Sequence, residues 1–208
     1  MEKVVVIMGS KHDQEKVEPA IEVLKEFSIE TGVYCISAHR APDGLAQFIK
    51  KLNEGGFTKV VIAAAGLSAA LPGVIAAKTT IPVIGLPLGG SPLNGQEALY
   101  SMAEMPPGIP VATVGINGAK NAGLMAVRIV ANEYPGIGLA LERYNEAQAK
   151  KSLADNDKIH EYYSKLAGKE ATVEQAAGKG SSKRKSSASN EQSQSYEPIS
   201  GWNPEDMF

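Results

Sequence analysis

Apolar and polar positions in this chain fall into short apolar runs separated by amphipathic stretches. Val4 to Met8 is a continuous run without period-two alternation, the pattern of a strand covered on both faces in a parallel sheet. Gln14 to Phe27 follows, with Val17, Ala20, Ile21, Leu24 and Phe27 at helical spacing. Gly32 to Ile36 reads as a second strand and takes in Cys35 as a buried packing residue. A helix opening at Pro42-Asp43 carries Leu45, Phe48, Ile49 and Leu52 on its apolar face and stops at Gly55-Gly56. Lys59 to Ala65 is a third strand, Val74 to Lys78 a short helical piece, and Ile81 to Pro87 a fourth strand. Gln96 to Met105 reads as a helix ended by Pro106-Pro107-Gly108, and Ile109 to Val114 as a fifth strand. A helical stretch from Asn117 to about Asn132 precedes a long helix from about Leu139 to Leu166. The charged first half of that last helix suggests packing on an edge or a neighbouring subunit rather than in the core.

Five strands alternating with helical segments predict right-handed crossovers and one doubly wound parallel sheet, an α/β fold of three layers. Residues 1–167 make the folded domain in this reading. Residues 168–208 are low-complexity and polar, as in Gly178 to Ser187, and cannot bury enough surface to order themselves. Lys183 to Lys185 reads there as part of a solvated linker, and the segment ending at Trp202 as a docking peptide or a disordered end.

In such a sheet the loops after the first four strands gather at one edge, where ligands bind. Those loops contain Ser10 and Asp13, then Ser37, His39 and Arg40, then Gly66 and Ser68, and finally the Gly- and Pro-rich stretch Gly89 to Gly95. Asp13 reads as an N-cap, and Ser10 with the free N–H groups of the helix start can cradle an anion. Arg40 can grip a phosphate or carboxylate through two parallel hydrogen bonds. His39 can exchange a proton near neutral pH. A small phosphate-bearing ligand fits that inventory. No Walker-type lysine loop, G-x-G-x-x-G turn or clustered acidic metal site is present. His12 and His160 read as exposed residues.

The chain has 208 residues, a formal net charge of -2 and one cysteine. That balance gives no reason to expect nucleic acid or a membrane as partner, and one cysteine excludes an intrachain disulfide. No run approaches the roughly 20 apolar residues of a membrane helix. With no signal peptide pattern after Met1, the expected location is the cytoplasm.

Met8-Gly9-Ser10 with Asp13, Ser37-Ala38-His39-Arg40-Ala41-Pro42, Leu71-Pro72-Gly73, Met105 to Thr113 and Asn121-Ala122 stand in order. Together they resemble the phosphoribosylaminoimidazole carboxylase family of purine biosynthesis, catalytic-subunit type. Its bacterial branch is the 5-(carboxyamino)imidazole ribonucleotide mutase. The resemblance spans roughly residues 3 to 160. It implies a flavodoxin-like fold, a homo-octamer with sites between subunits, and no metal or organic cofactor. It also implies transfer of a carboxylate from the exocyclic nitrogen of an imidazole ribonucleotide to ring carbon C4. Carried onto this chain, Ser10, Asp13 and Arg40 bind the ribose phosphate and His39 is the acid/base. The Gly66 to Ala70 loop lines the base and carbon dioxide pocket, with Ser37, Ser68 and Leu71 completing the substrate-binding set. The mutase branch usually reads Gly-Gly-Ala-Ala-His-Leu-Pro-Gly in the third loop, so Ala70 stands where that branch has histidine. Ser68 is instead similar to the branch that carboxylates the aminoimidazole ribonucleotide directly with carbon dioxide, which makes that reaction the alternative.

Overall fold

The computed structural model describes residues 2–178. Its five strands are β1 (Val4–Met8), β2 (Thr31–Cys35), β3 (Val60–Gly66), β4 (Val83–Leu88) and β5 (Ala112–Thr113). All neighbours pair in parallel, in the order β2-β1-β3-β4-β5. This is the flavodoxin-like order, and its switch point lies between β1 and β3. The helices are α1 (Gln14–Glu26), α2 (Pro42–Gly55), α3 (Leu71–Ala76), α4 (Gln96–Ala103), α5 (Ala119–Ala131) and α6 (Pro135–Gly178).

The central strands are apolar throughout because each has a helical layer on both faces. Along β1, Val4, Val6 and Met8 join the cluster formed with α1 and α5. Val5 and Ile7 join the opposite cluster, with Leu45 and Ile49 of α2, Ile75 of α3 and Met102 of α4. Alternate side chains of one run therefore serve two cores. Small residues let helices approach closely: a Cβ on Gly123 of α5 would lie 2.9 Å from the Ala20 carbonyl oxygen and 3.0 Å from the Val23 Cβ of α1.

Four details depart from the sequence reading. Cys35 is exposed rather than buried, because β2 is an edge strand. Its Tyr34 packs beneath Phe48 of α2, with ring centroids 4.5 Å apart, while Val33 is 45 % exposed on the other face. The fifth strand shrinks to Ala112–Thr113. Pro110 has no N–H to give a ladder and Gly108 turns the chain at φ +98. The helical piece expected at Val74 begins instead at Leu71, with Pro72 in its first turn, where a missing N–H is harmless. Finally, the start of α6 does enter the core. Leu141 is buried there as a member of the α1–α5 cluster, against which Ile137, Ala140 and Tyr144 also pack, and Tyr144 meets Phe27 of α1 at 5.7 Å.

The α/β unit closes at Ser152. Beyond it α6 continues to Gly178, past the end expected at Leu166, with Ile159, Tyr162 and Tyr163 exposed and His160 exposed as expected. The rest of the expected tail, including the Lys183 to Lys185 cluster and Trp202, lies outside the described residues. Among those described, no helix is long and apolar enough to cross a membrane.

Candidate active site

The carboxyl ends of β1, β2, β3 and β4 open onto one cavity of about 510 Å³, and the switch point lies at its centre. Nine of the residues singled out from the sequence line it: Ser10, Asp13, Ser37, His39, Arg40, Gly66, Ser68, Ala70 and Leu71. Of the Gly89 to Gly95 stretch, Gly89, Gly90 and Ser91 do so and the rest do not. His12 is not among the lining residues; it is exposed, with Nδ1 3.2 Å from the Ser10 hydroxyl.

The first loop is built differently from the simple cap expected. Lys11–Asp13 forms a single 3-10 turn before α1. Ser10 caps that turn, its Oγ accepting from the His12 N–H at 3.3 Å, while the Asp13 N–H donates to the Ser10 carbonyl at 3.1 Å. Asp13 precedes α1 in helical conformation and its side chain caps nothing. Its carboxylate lines the cavity instead. Burial is the main reason that this carboxyl sits above the usual range, opposed by the Ser10 backbone and the charges of Lys16 and His12.

The second loop turns tightly after β2. Ser37 Oγ accepts from the Arg40 N–H at 3.2 Å, and the Ser37 carbonyl accepts from the Ala41 N–H at 3.0 Å. Arg40 then reaches back to β1, donating through Nη2 to the Gly9 carbonyl at 3.4 Å. This leaves most of its five donors available. His39 is exposed to the cavity between these two anchors.

The third loop is narrow and small. Gly66 passes against β4, where a Cβ would meet the Leu88 carbonyl oxygen at 3.1 Å. Leu67 turns with φ +54, a conformation that costs a leucine roughly 1–2 kcal/mol. The resembling mutase branch has glycine at this position. Ala69 and Leu71 are buried beneath the loop, so Ser68 is the polar side chain that it offers the cavity.

Lys16 also lines the cavity, and the sequence reading passed over it. The only local signal was its position three residues after Asp13, on the same helical face. Among the described residues no group of three or more His, Cys, Asp or Glu could hold a metal ion.

The AIR carboxylase family profile matches residues 3–151. The chain belongs to the AIR carboxylase family. An N5-carboxyaminoimidazole ribonucleotide mutase from Pyrococcus abyssi is 49% identical over 146 residues, 70% of this chain and 83% of the relative. A protein of the same name from Aquifex aeolicus is 52% identical over 130 residues, 62% of this chain and 77% of the relative. The phosphoribosylaminoimidazole carboxylase of Schizosaccharomyces pombe is 41% identical over 154 residues, 74% of this chain but 28% of that longer protein. The crystal structure of Treponema denticola PurE superposes with a TM-score of 0.69 at 31% identity, covering 74% of this chain and 96% of that one. The AIR carboxylase match ends at residue 151, next to the end of the compact α/β unit at Ser152.

Proposed function

We propose that this AIR carboxylase family member is an N5-carboxyaminoimidazole ribonucleotide mutase, and that residues 1–167 carry the activity. The observation that carries the reading is the convergence of a proton-exchanging group, an anion grip and a small-residue pocket in one cavity. His39, Arg40, Ser10 and Gly66 all line it. Relatives of that name, 49% and 52% identical, support the choice of substrate.

Arg40, Ser10 and Ser37 hold the ribose phosphate, and Asp13 accepts from ribose hydroxyls. The bond from N5 to the carboxylate carbon breaks, and N5 takes a proton from His39. The resulting aminoimidazole attacks carbon dioxide through C4, forming the new carbon–carbon bond. C4 then loses its proton to His39, which restores the starting state, and the net change is an isomerisation. The pocket beside Gly66, Ser68, Ala70 and Leu71 keeps the gas beside C4, so that positioning supplies much of the rate. No metal or organic cofactor takes part in this scheme.

The same resemblance leads us to assign a homo-octamer; the near-neutral charge balance leaves nucleic acid and membrane outside its list of partners, and we assign it to the cytoplasm. The open edge of β2 is a surface that such an assembly would cover, and sedimentation of the full chain reads its size.

Direct carboxylation of the aminoimidazole ribonucleotide is the second reading. Ser68 together with Ala70 in place of histidine favours it, as does the name of the fission yeast relative. Purified protein assayed on each ribonucleotide, with and without bicarbonate, separates the two. Turnover of the carboxyamino compound alone supports the mutase. Strict dependence on added carbon dioxide overturns it.

A further inference from the structure

Gly89 stands where the cavity wall leaves the end of β4, and both hydrogen-bonding groups of its backbone are held from outside its own loop. Its N–H donates to Asn117 Oδ1 at 2.9 Å. Its carbonyl accepts from the Nζ of Lys16, 73 residues earlier on α1. No side chain fits at Gly89 to do this work instead: a Cβ there would lie 2.9 Å from Asn117 Nδ2 and 3.1 Å from the Asn94 carbonyl oxygen. Gly90 turns with φ +101 directly against the lysine, where a Cβ would lie 2.9 Å from Nζ. Lys16 has no carboxylate in ion-pair range among the described residues. Fixing its flexible stem on a carbonyl is therefore a charge-assisted bond with one recipient, and it joins the α1 side of the cavity to the β4 side.

We infer that Lys16 is a positioning residue, latching the Gly89–Ser91 wall to α1 while carbon dioxide passes from N5 to C4. The inference rests on the mutase reading above. Lys16 acts through Gly89 and touches no reacting atom. With the wall latched, the released gas meets C4. With the wall loose it escapes and hydrates, so that each carbamate plus one water gives one aminoimidazole ribonucleotide and one bicarbonate.

Lys16→Met removes the N–H donors and keeps the length of the stem, while Lys16→Arg keeps a cationic donor. The full chain is given the carboxyamino ribonucleotide in buffer with ¹³C-bicarbonate. Aminoimidazole and C4-carboxylate products are then counted, with spontaneous breakdown subtracted. In Lys16→Met the ratio of aminoimidazole to carboxylate rises about tenfold, the factor one such hydrogen bond carries. Solvent label enters the product, KM moves less than about twofold, and Lys16→Arg restores coupling. A Lys16→Met enzyme with the parent's ratio and no label overturns the inference. Hydrogen exchange at Gly89–Gly95 in the unliganded protein gives a second reading, independent of the reaction: faster exchange in Lys16→Met is expected, and unchanged exchange overturns the latch. If the parent itself draws its carboxylate from labelled bicarbonate, the mutase reading fails, and the latch stands or falls on the exchange measurement.

Discussion

Replacing Gly123 by alanine sets two effects against each other at the contact that holds α1 in place. Alanine in a helix interior is favoured over glycine by about 1 kcal/mol. Here the new methyl would lie 2.9 Å from the Ala20 carbonyl oxygen and 3.1 Å from Val23 Cγ1. One of those neighbours is backbone inside α1, so it cannot rotate away and the two helices must separate. Overpacking of this kind costs about 1–3 kcal/mol. The middle of that range exceeds the propensity gain by about 1 kcal/mol, so the variant is less stable. For a unit of this size that lowers Tm by about 2–4 °C, measured by scanning calorimetry of the full chain. Gly138→Ala is the control, since it sits in α6 with nothing within 4 Å of the added Cβ. It should show the propensity gain alone, with a Tm about 2–4 °C higher. A Gly123→Ala protein as stable as the parent would mean that the α1–α5 contact yields freely, and the reasoning would fail.

Other outcomes follow from the cavity. His39→Asn lowers kcat by about 10²–10⁴-fold, the range of one general acid–base group, and leaves binding intact. Equal loss of binding, read by calorimetric titration with the ribonucleotide, would make His39 a grip rather than a proton carrier. Arg40→Lys loses the fork that meets a phosphate with two bonds, and KM rises about tenfold with kcat little changed. A fall in kcat alone would remove Arg40 from phosphate binding. Asp13→Asn tests the raised carboxyl. The folded chain binds that proton more tightly than the unfolded one, so the linked stability is full below the unfolded carboxylate value. It is lost as pH rises through the folded value. The asparagine variant therefore matches or exceeds the parent's urea midpoint at neutral pH while its ligand affinity falls. A clearly lower neutral midpoint would show the ionised carboxylate to be stabilising.

Where a local pattern and its environment agreed, the chain could be read directly. Val4–Met8 has no polar position because its strand is central, and the His39-Arg40 pair lies at a strand end where the doubly wound topology collects ligands. The misreadings have a common origin in tertiary placement. Cys35 looks like a core residue until β2 is known to be an edge. The start of α6 looks solvated because Glu142 and Arg143 follow Leu141, although Ile137, Leu141 and Tyr144 recur on one face. Asp13 has the spacing of a cap, but the 3-10 turn before α1 gives that task to Ser10. Lys16 was invisible for the same reason. A lysine on an amphipathic helix reads as a solvated face until a glycine 73 residues away is brought against it.

The register of β1 bears on the order in which the nascent chain can become compact. Val4 pairs with Thr31 on one side and with Val60 on the other. At roughly 5–20 residues per second of synthesis, the apolar strand Val4–Met8 therefore waits about 3–11 s for its β3 partner. Asn117, which anchors the last wall of the cavity, arrives later still. The most hydrophobic strand of the sheet is thus the first made and must wait for β3 before both its edges are paired, and slower elongation between residues 9 and 60 would prolong its exposure to aggregation or chaperone capture.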